Sequence, residues 1–163
     1  MNWREAYDIL KQAVEACPQV VANGLPVLDG VQAVMAIDKL AETFEGTFQD
    51  NPFTVVIEHP AATAYIEGES ANYLKDAWTI LVVENPRQRE TTALDPLIIP
   101  HAIAASVIGQ PNAYGGHNFT PNQEFYRYQG DARGFLFHRF TFLITTEMPG
   151  TGLPIGPAPV DIL

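Results

Sequence analysis

The chain is short of three things: cysteine, positive charge and long apolar runs. One cysteine, Cys17, excludes an intramolecular disulfide and a thiolate metal cluster. Its helix-like spacing from other apolar residues makes it a structural thiol. Only nine of the 163 residues are Lys or Arg, against 19 Asp and Glu, for a net charge of −10. No basic run occurs, which argues against gripping a phosphate backbone. No stretch approaches the ~18 apolar residues of a membrane span. The start, MNWREAYDIL, has no basic segment leading into an apolar one, so no signal peptide is expected, and a cytosolic, reducing compartment is. Charged residues make up 17%, below the roughly 25% of typical domains. Either a partner covers part of the surface, or Ser, Thr, Asn and Gln fill it.

The length suits one domain with a real core. Trp3, Tyr7, Leu10, Val14 and Cys17 recur at spacings of four and three, with Arg4, Glu5, Asp8, Lys11 and Glu15 on other faces. This predicts an amphipathic helix capped by Asn2 and ended by Pro18. Val20–Gly30 reads as strand or loop. Val31, Val34, Met35, Ala41 and Phe44 suggest a helix broken by Gly46, although Val31 to Ile37 also reads as a strand.

From Phe53 the pattern is β. FTVVIEH and ATAYIEG are expected as two short strands separated by Pro60, with Glu67 and Glu69 at a solvated hairpin tip. In AWTILVVE, Trp78, Ile80 and Val82 face one side and Thr79, Leu81 and Val83 the other. Both sides are largely apolar, as in a central strand covered on both faces. Leu94–Gly109 is the second expected helix, started at Asp95-Pro96 or Ile99-Pro100 and ended at Gly109. QPNAYGGHNFTPNQ is a loop by composition. EFYRYQ and GFLFHRFTFLITTE read as a hairpin turned at Gly130-Asp131 and Gly134, with Phe140, Phe142 and Ile144 alternating with Arg139, Thr141 and Thr145. The expected division is a single domain over 1–147 and an extended Pro/Gly-rich arm over 148–163, whose Leu153, Ile155 and Val160 are suited to lying on a neighbouring subunit.

Residues that carry chemistry are sparse. His59, His101, His117 and His138 form no zinc-protease pair. His59 beside Glu58 has the donors for a metal, but a polar strand end has the same residues. His117, in GGHN, is the best placed for a mobile functional histidine. No serine sits in a nucleophile elbow and no phosphate loop is present. The aromatics of the final hairpin have only Arg127, Arg133 and Arg139 nearby, too little charge for a base-stacking platform and more suited to core and interface.

The segments MNWREAYDILKQAVEA, DAWTILVVENPRQRE and FLFHRFTFLITTE, in that order over residues 2 to 147, resemble the small tail-terminator and tail-completion proteins of long-tailed bacteriophages. That resemblance implies an α+β fold, a mostly antiparallel sheet with two or three helices packed on one face. It implies no catalysis, cofactor or metal. It implies a homo-hexameric ring that caps the tail tube and meets neck and head-completion proteins, in a virion assembled in the host cytoplasm. DNA passes through such a ring without specific binding, and no membrane is involved. In this reading Asn85–Glu90 is a contact loop, and Arg87 and Arg89 pair with carboxylates of an adjacent subunit. Tyr114, His117, Arg133, Leu153, Ile155 and Val160 complete the candidate interface. A small metal-dependent hydrolase using Glu58, His59 and His117, and a monomeric binding module using the Pro-rich tail, are the other readings the residues allow.

Overall fold

The computed structural model describes residues 3–30, 37–68, 72–108, 120–131 and 133–147. Asn2, Tyr114, His117 and the arm over 148–163, with Leu153, Ile155 and Val160, lie outside them.

The chain begins with α1 (Trp3–Glu15) and α2 (Pro18–Asn23). Pro18 ends one helix and opens the next, because a first-turn proline gives up no hydrogen bond. Gly24, at φ +58°, closes α2. Its N–H and that of Leu25 return to the carbonyls of Val21 and Val20 in a Schellman pattern. Then come β1 (Val27–Gly30), α3 (Ile37–Thr43) and α4 (Glu45–Asp50). The break between the last two falls at Phe44 (φ −114°, ψ 23°) and not at Gly46, which sits in the first turn of α4.

β2 (Phe53–Glu67) and β3 (Asn72–Glu84) form a long hairpin. The two short strands expected around Pro60 are one strand. Between Glu58↔Thr79 and Ala62↔Ala77 the register shifts, so His59, Pro60 and Ala61 stand against Trp78 alone. Proline has no N–H for the ladder, and a bulge accommodates it without ending the strand. The hairpin leads into α5 (Pro86–Arg89) and α6 (Ile99–Ala105), then β4 (Thr120–Gly130) and β5 (Leu136–Glu147). At the β4–β5 turn Asp131 Oδ1 accepts from the N–H groups of Arg133 and Phe135, and Gly134 takes φ +88°.

The sheet order is β1-β2-β3-β5-β4, with β1 parallel to β2 and the other pairs antiparallel. β3 is central, as its two apolar faces require. Trp78, Ile80 and Val82 join Phe53, Val55, Ile57, Phe140 and Phe142 under α1, α2 and α6. Leu81 and Val83 join Val56, Phe135 and Phe137 under Leu40 and Ala41 of α3 and Phe48 of α4. The expected α+β class and mostly antiparallel sheet are both present, and α3 and α4 add a cover on the second face.

Buried aromatics set that second core. The Phe48 ring meets Phe135 edge-on at 5.7 Å and Phe137 at 6.1 Å, the arrangement that ring quadrupoles favour. On the first face, the Cys17 thiol is buried and points at the Ala102 carbonyl at 3.7 Å, joining the α1–α2 junction to α6. No described helix is long and apolar enough to cross a membrane.

Candidate functional site

Polar side chains gather where β3 ends. Glu84, its last residue, is only 2% exposed. A carboxylate removed from water needs donors, and two elements supply them. Arg89 Nε donates to Glu84 Oε2 at 2.8 Å. His138 Nε2 lies 3.3 Å from Glu84 Oε1. The Tyr126 hydroxyl lies 2.8 Å from the other ring nitrogen, Nδ1. Burial pushes the His138 pKa below its usual value and outweighs the opposite pull of Glu84, while His101 lowers it further. A neutral imidazole has one N–H. Glu84 takes it from Nε2, so Nδ1 accepts from Tyr126. Burial, and after it Tyr128 and Glu84, pushes the Tyr126 hydroxyl upward. It therefore holds its proton more firmly, the opposite of what an activated nucleophile needs. The chain Tyr126–His138–Glu84–Arg89 ties β4, β5, β3 and α5 together.

The segment after Glu84 is not a loop. Asn85 and Pro86 are the N-cap and first residue of α5, and the Asn85 Oδ1 accepts from the Arg87 N–H at 3.1 Å. The Asn85 Nδ2 donates to the carbonyls of Phe48 at 3.2 Å and Gln49 at 3.0 Å. One buried amide thus joins the last turn of α4 to the first of α5.

This helical turn separates the two arginines that the sequence groups together. Arg89 turns inward to Glu84 of its own chain. Arg87 is exposed and makes no ion pair among the described residues. It lines a cleft of about 490 Å³ with Asn85, Gln88, Gln49 and Arg133. Arg87 and Arg133, 46 positions apart by their numbers, are therefore brought to one site.

A second basic site was not apparent from the sequence. Arg127 on β4 stands directly opposite Arg139 on β5. With Leu81, Phe137 and Gln129 they line a cavity of about 380 Å³. Arg139 reaches across β3 to Glu58, Nη2 to Oε1 at 3.3 Å, close enough for an ion pair but without hydrogen-bond geometry. Glu58, 1% exposed, is thus committed to an arginine on the second face of the sheet. The side chain of His59 and all of His117 lie outside the described residues. Among the described residues no cluster of three or more His, Cys, Asp or Glu could hold a metal ion.

Exposed apolar groups accompany these sites. Tyr126 and Tyr128 stand out on β4, and Leu97 and Ile98 precede α6, Leu97 at 81% exposure.

No family model matches the chain. No curated protein matches it either. Its fold is similar to that of a chain in a solved structure described as the virion of a native gene transfer agent (GTA) particle, with a TM-score of 0.55. The alignment covers 85% of this chain and 92% of that one, at 10% identity. At that identity the likeness is one of fold.

Proposed function

We propose that the chain is a structural protein of a phage-like virion, a ring-forming tail terminator or completion protein that caps the tail tube and joins it to the neck. The observation that carries this reading is the fold likeness to a virion chain over nearly the whole of both molecules. The likeness agrees with the resemblance of residues 2 to 147 to phage tail terminators. The charge balance supports it as well, since an acidic chain can surround DNA without holding it. The polar chain at Glu84 fastens strands together and holds the Tyr126 proton in place, which suits a non-enzymatic role.

In this reading the arginines of the Arg87–Arg133 cleft and of the Arg127–Arg139 cavity serve assembly. Identical heterologous contacts close into a ring when the rotation fits. Native mass spectrometry of the purified chain over a concentration series, with negative-stain images of the same samples, tests the reading. Closed rings of about six copies with a central hole are expected. A monomer at every concentration into the hundred-micromolar range overturns the ring.

A further inference from the structure

Arg127 and Arg139 stand opposite each other on β4 and β5, and two residues along the same strands Gln129 stands opposite Phe137. Leu81 of β3 is level with Arg139 on its other side. Residues two apart on a strand share a face. All five therefore stand on the face where Leu81 and Phe137 join the core under α3 and α4, and all five line the cavity of about 380 Å³. That volume is at the lower end of the roughly 300–1,000 Å³ of small-molecule sites.

Like charges directly opposite each other on paired strands are destabilising unless counter-charge is supplied. Glu58 supplies it to Arg139. Arg127 is exposed and has no ion-pair partner among the described residues. Arg139 Nε and Nη2 are shut off from water and make no hydrogen bond among those residues, yet the side chain keeps 22% of its exposure. Two guanidinium charges less the Glu58 carboxylate leave one positive charge at the cavity.

That balance chooses between oxyanions. A carboxylate carries one negative charge and neutralises the cavity, whereas a phosphate dianion overshoots. A guanidinium meets both oxygens of a carboxylate through two parallel N–H groups. Leu81 and Phe137 form an apolar wall, which favours the carbon body of an organic acid and does nothing for inorganic phosphate.

We propose that the Arg127–Arg139 cavity is a binding site for a singly charged carboxylate on a short apolar body. Arg127 holds the carboxylate by its fork, Arg139 is kept in place by Glu58 and adds the second charge, and the carbon body lies on Leu81 and Phe137. Two sources offer this chemistry: a free organic acid, or an acidic side chain of a second copy entering on its methylene stem. The site does not depend on the ring. Filled by a second copy, it gives the chemistry of the assembly role assigned to these arginines above.

Butyrate is the probe, and the methyl NMR signals of Leu81 report on the cavity in a monomer and in a ring alike. A saturable shift with a millimolar dissociation constant is expected, with butyramide, the neutral counterpart, moving the signals little. Arg127→Gln, a change at an exposed residue whose folding circular dichroism verifies, is expected to weaken butyrate at least about tenfold. No saturable shift, or butyrate binding undiminished in Arg127→Gln, overturns the site. Butyramide binding as well as butyrate reduces it to an apolar cavity and also overturns it. Inorganic phosphate binding as tightly as butyrate overturns the carboxylate class. Sedimentation of the wild type then separates the two sources. Rings that dissociate in butyrate, but not in chloride of equal ionic strength, place a side chain of a second copy in the site. Rings that persist with butyrate bound place a free acid there. A chain that binds butyrate and never oligomerises overturns the ring alone.

Discussion

The Tyr126 hydroxyl donates to His138 Nδ1 across 2.8 Å, and the imidazole is thereby left with its single proton on the nitrogen that faces Glu84. The groups around it are Glu84 on β3, Tyr126 and Tyr128 on β4 and His101 near α6's start. A histidine whose folded pKa is lowered binds fewer protons than the unfolded chain just below its ordinary value of 6.5. Its contribution to stability is present above pH 6.5 and is lost as the pH falls below it. Urea midpoints measured at pH 7.5 and 5.5 are expected to fall in the wild type, at up to about 1.4 kcal/mol per pH unit within the window. His138→Gln is expected to flatten that dependence. An equal fall in the variant would show that other groups control it.

Asn85 is the hinge pin between α4 and α5. Its amide donates twice and its oxygen accepts once. Replacement by alanine leaves two carbonyls and one N–H without their partner. Asn85→Ala should cost about 2–3 kcal/mol in urea unfolding, since a buried polar group left unsatisfied costs about 1–3 kcal/mol. A loss under 0.5 kcal/mol would mean that water replaces all three bonds.

Arg87 and Arg89 should respond differently to reversal. Arg87→Glu changes an exposed side chain and is expected to leave the thermal midpoint nearly unchanged. Arg89→Glu places a second carboxylate beside the buried Glu84 and removes a charge-assisted hydrogen bond, at a cost of about 2–3 kcal/mol. Reversal is thus expected to spare the fold at Arg87 and to damage it at Arg89. Melting curves of the two single variants decide it.

Gly30 lies where β1 meets β2. A Cβ there falls 2.9 Å from the Ile57 carbonyl oxygen and 3.2 Å from the Glu58 Cα. Both are backbone atoms and cannot swing away. Gly30→Ala should push β1 outward and destabilise by about 1–3 kcal/mol. Hydrogen exchange localises the effect, with faster exchange expected in Val27–Gly30 and little change in β5.

Much of the fold could be read locally. In Trp78–Val83 the alternation assigns each residue to its proper face, and apolar side chains on both faces put the strand in the middle. Asp131 and Gly134 mark the turn that they make. Pro60 misled because a proline looks like a strand end, and only the β3 register shows that the bulge absorbs it. Asn85-Pro86 misled in the other direction. The pair is a helix start as well as a turn signal, and the short α5 that follows has no apolar periodicity to reveal it.

The site was less legible than the fold. Arg127 and Arg139 are separated by a turn, and which residues oppose each other depends on a β4 register shift between Pro121 and Tyr126. Glu84 and His138 meet across neighbouring strands 54 positions apart. Glu58, beside His59 in sequence, suggests a metal ligand until Arg139 is seen to reach it. Pairing of this kind is written in the register, and alternation alone does not encode register.

The central position of β3 also orders events during synthesis. Its partner on one side, β2, directly precedes it, and that hairpin can close as soon as Glu84 has been made. Its partner on the other side is β5, and Glu84 must wait for Leu136. Joining them closes a loop over residues 85–135, an entropic cost that precedes any gain from pairing. Throughout that interval the nascent chain carries a long hairpin with an open ladder along the free side of β3. Such an edge invites pairing with other chains. Crowded ribosomes translating this message should therefore be the stage at which the protein most needs a chaperone, and the arrival of β5 the moment at which the need ends.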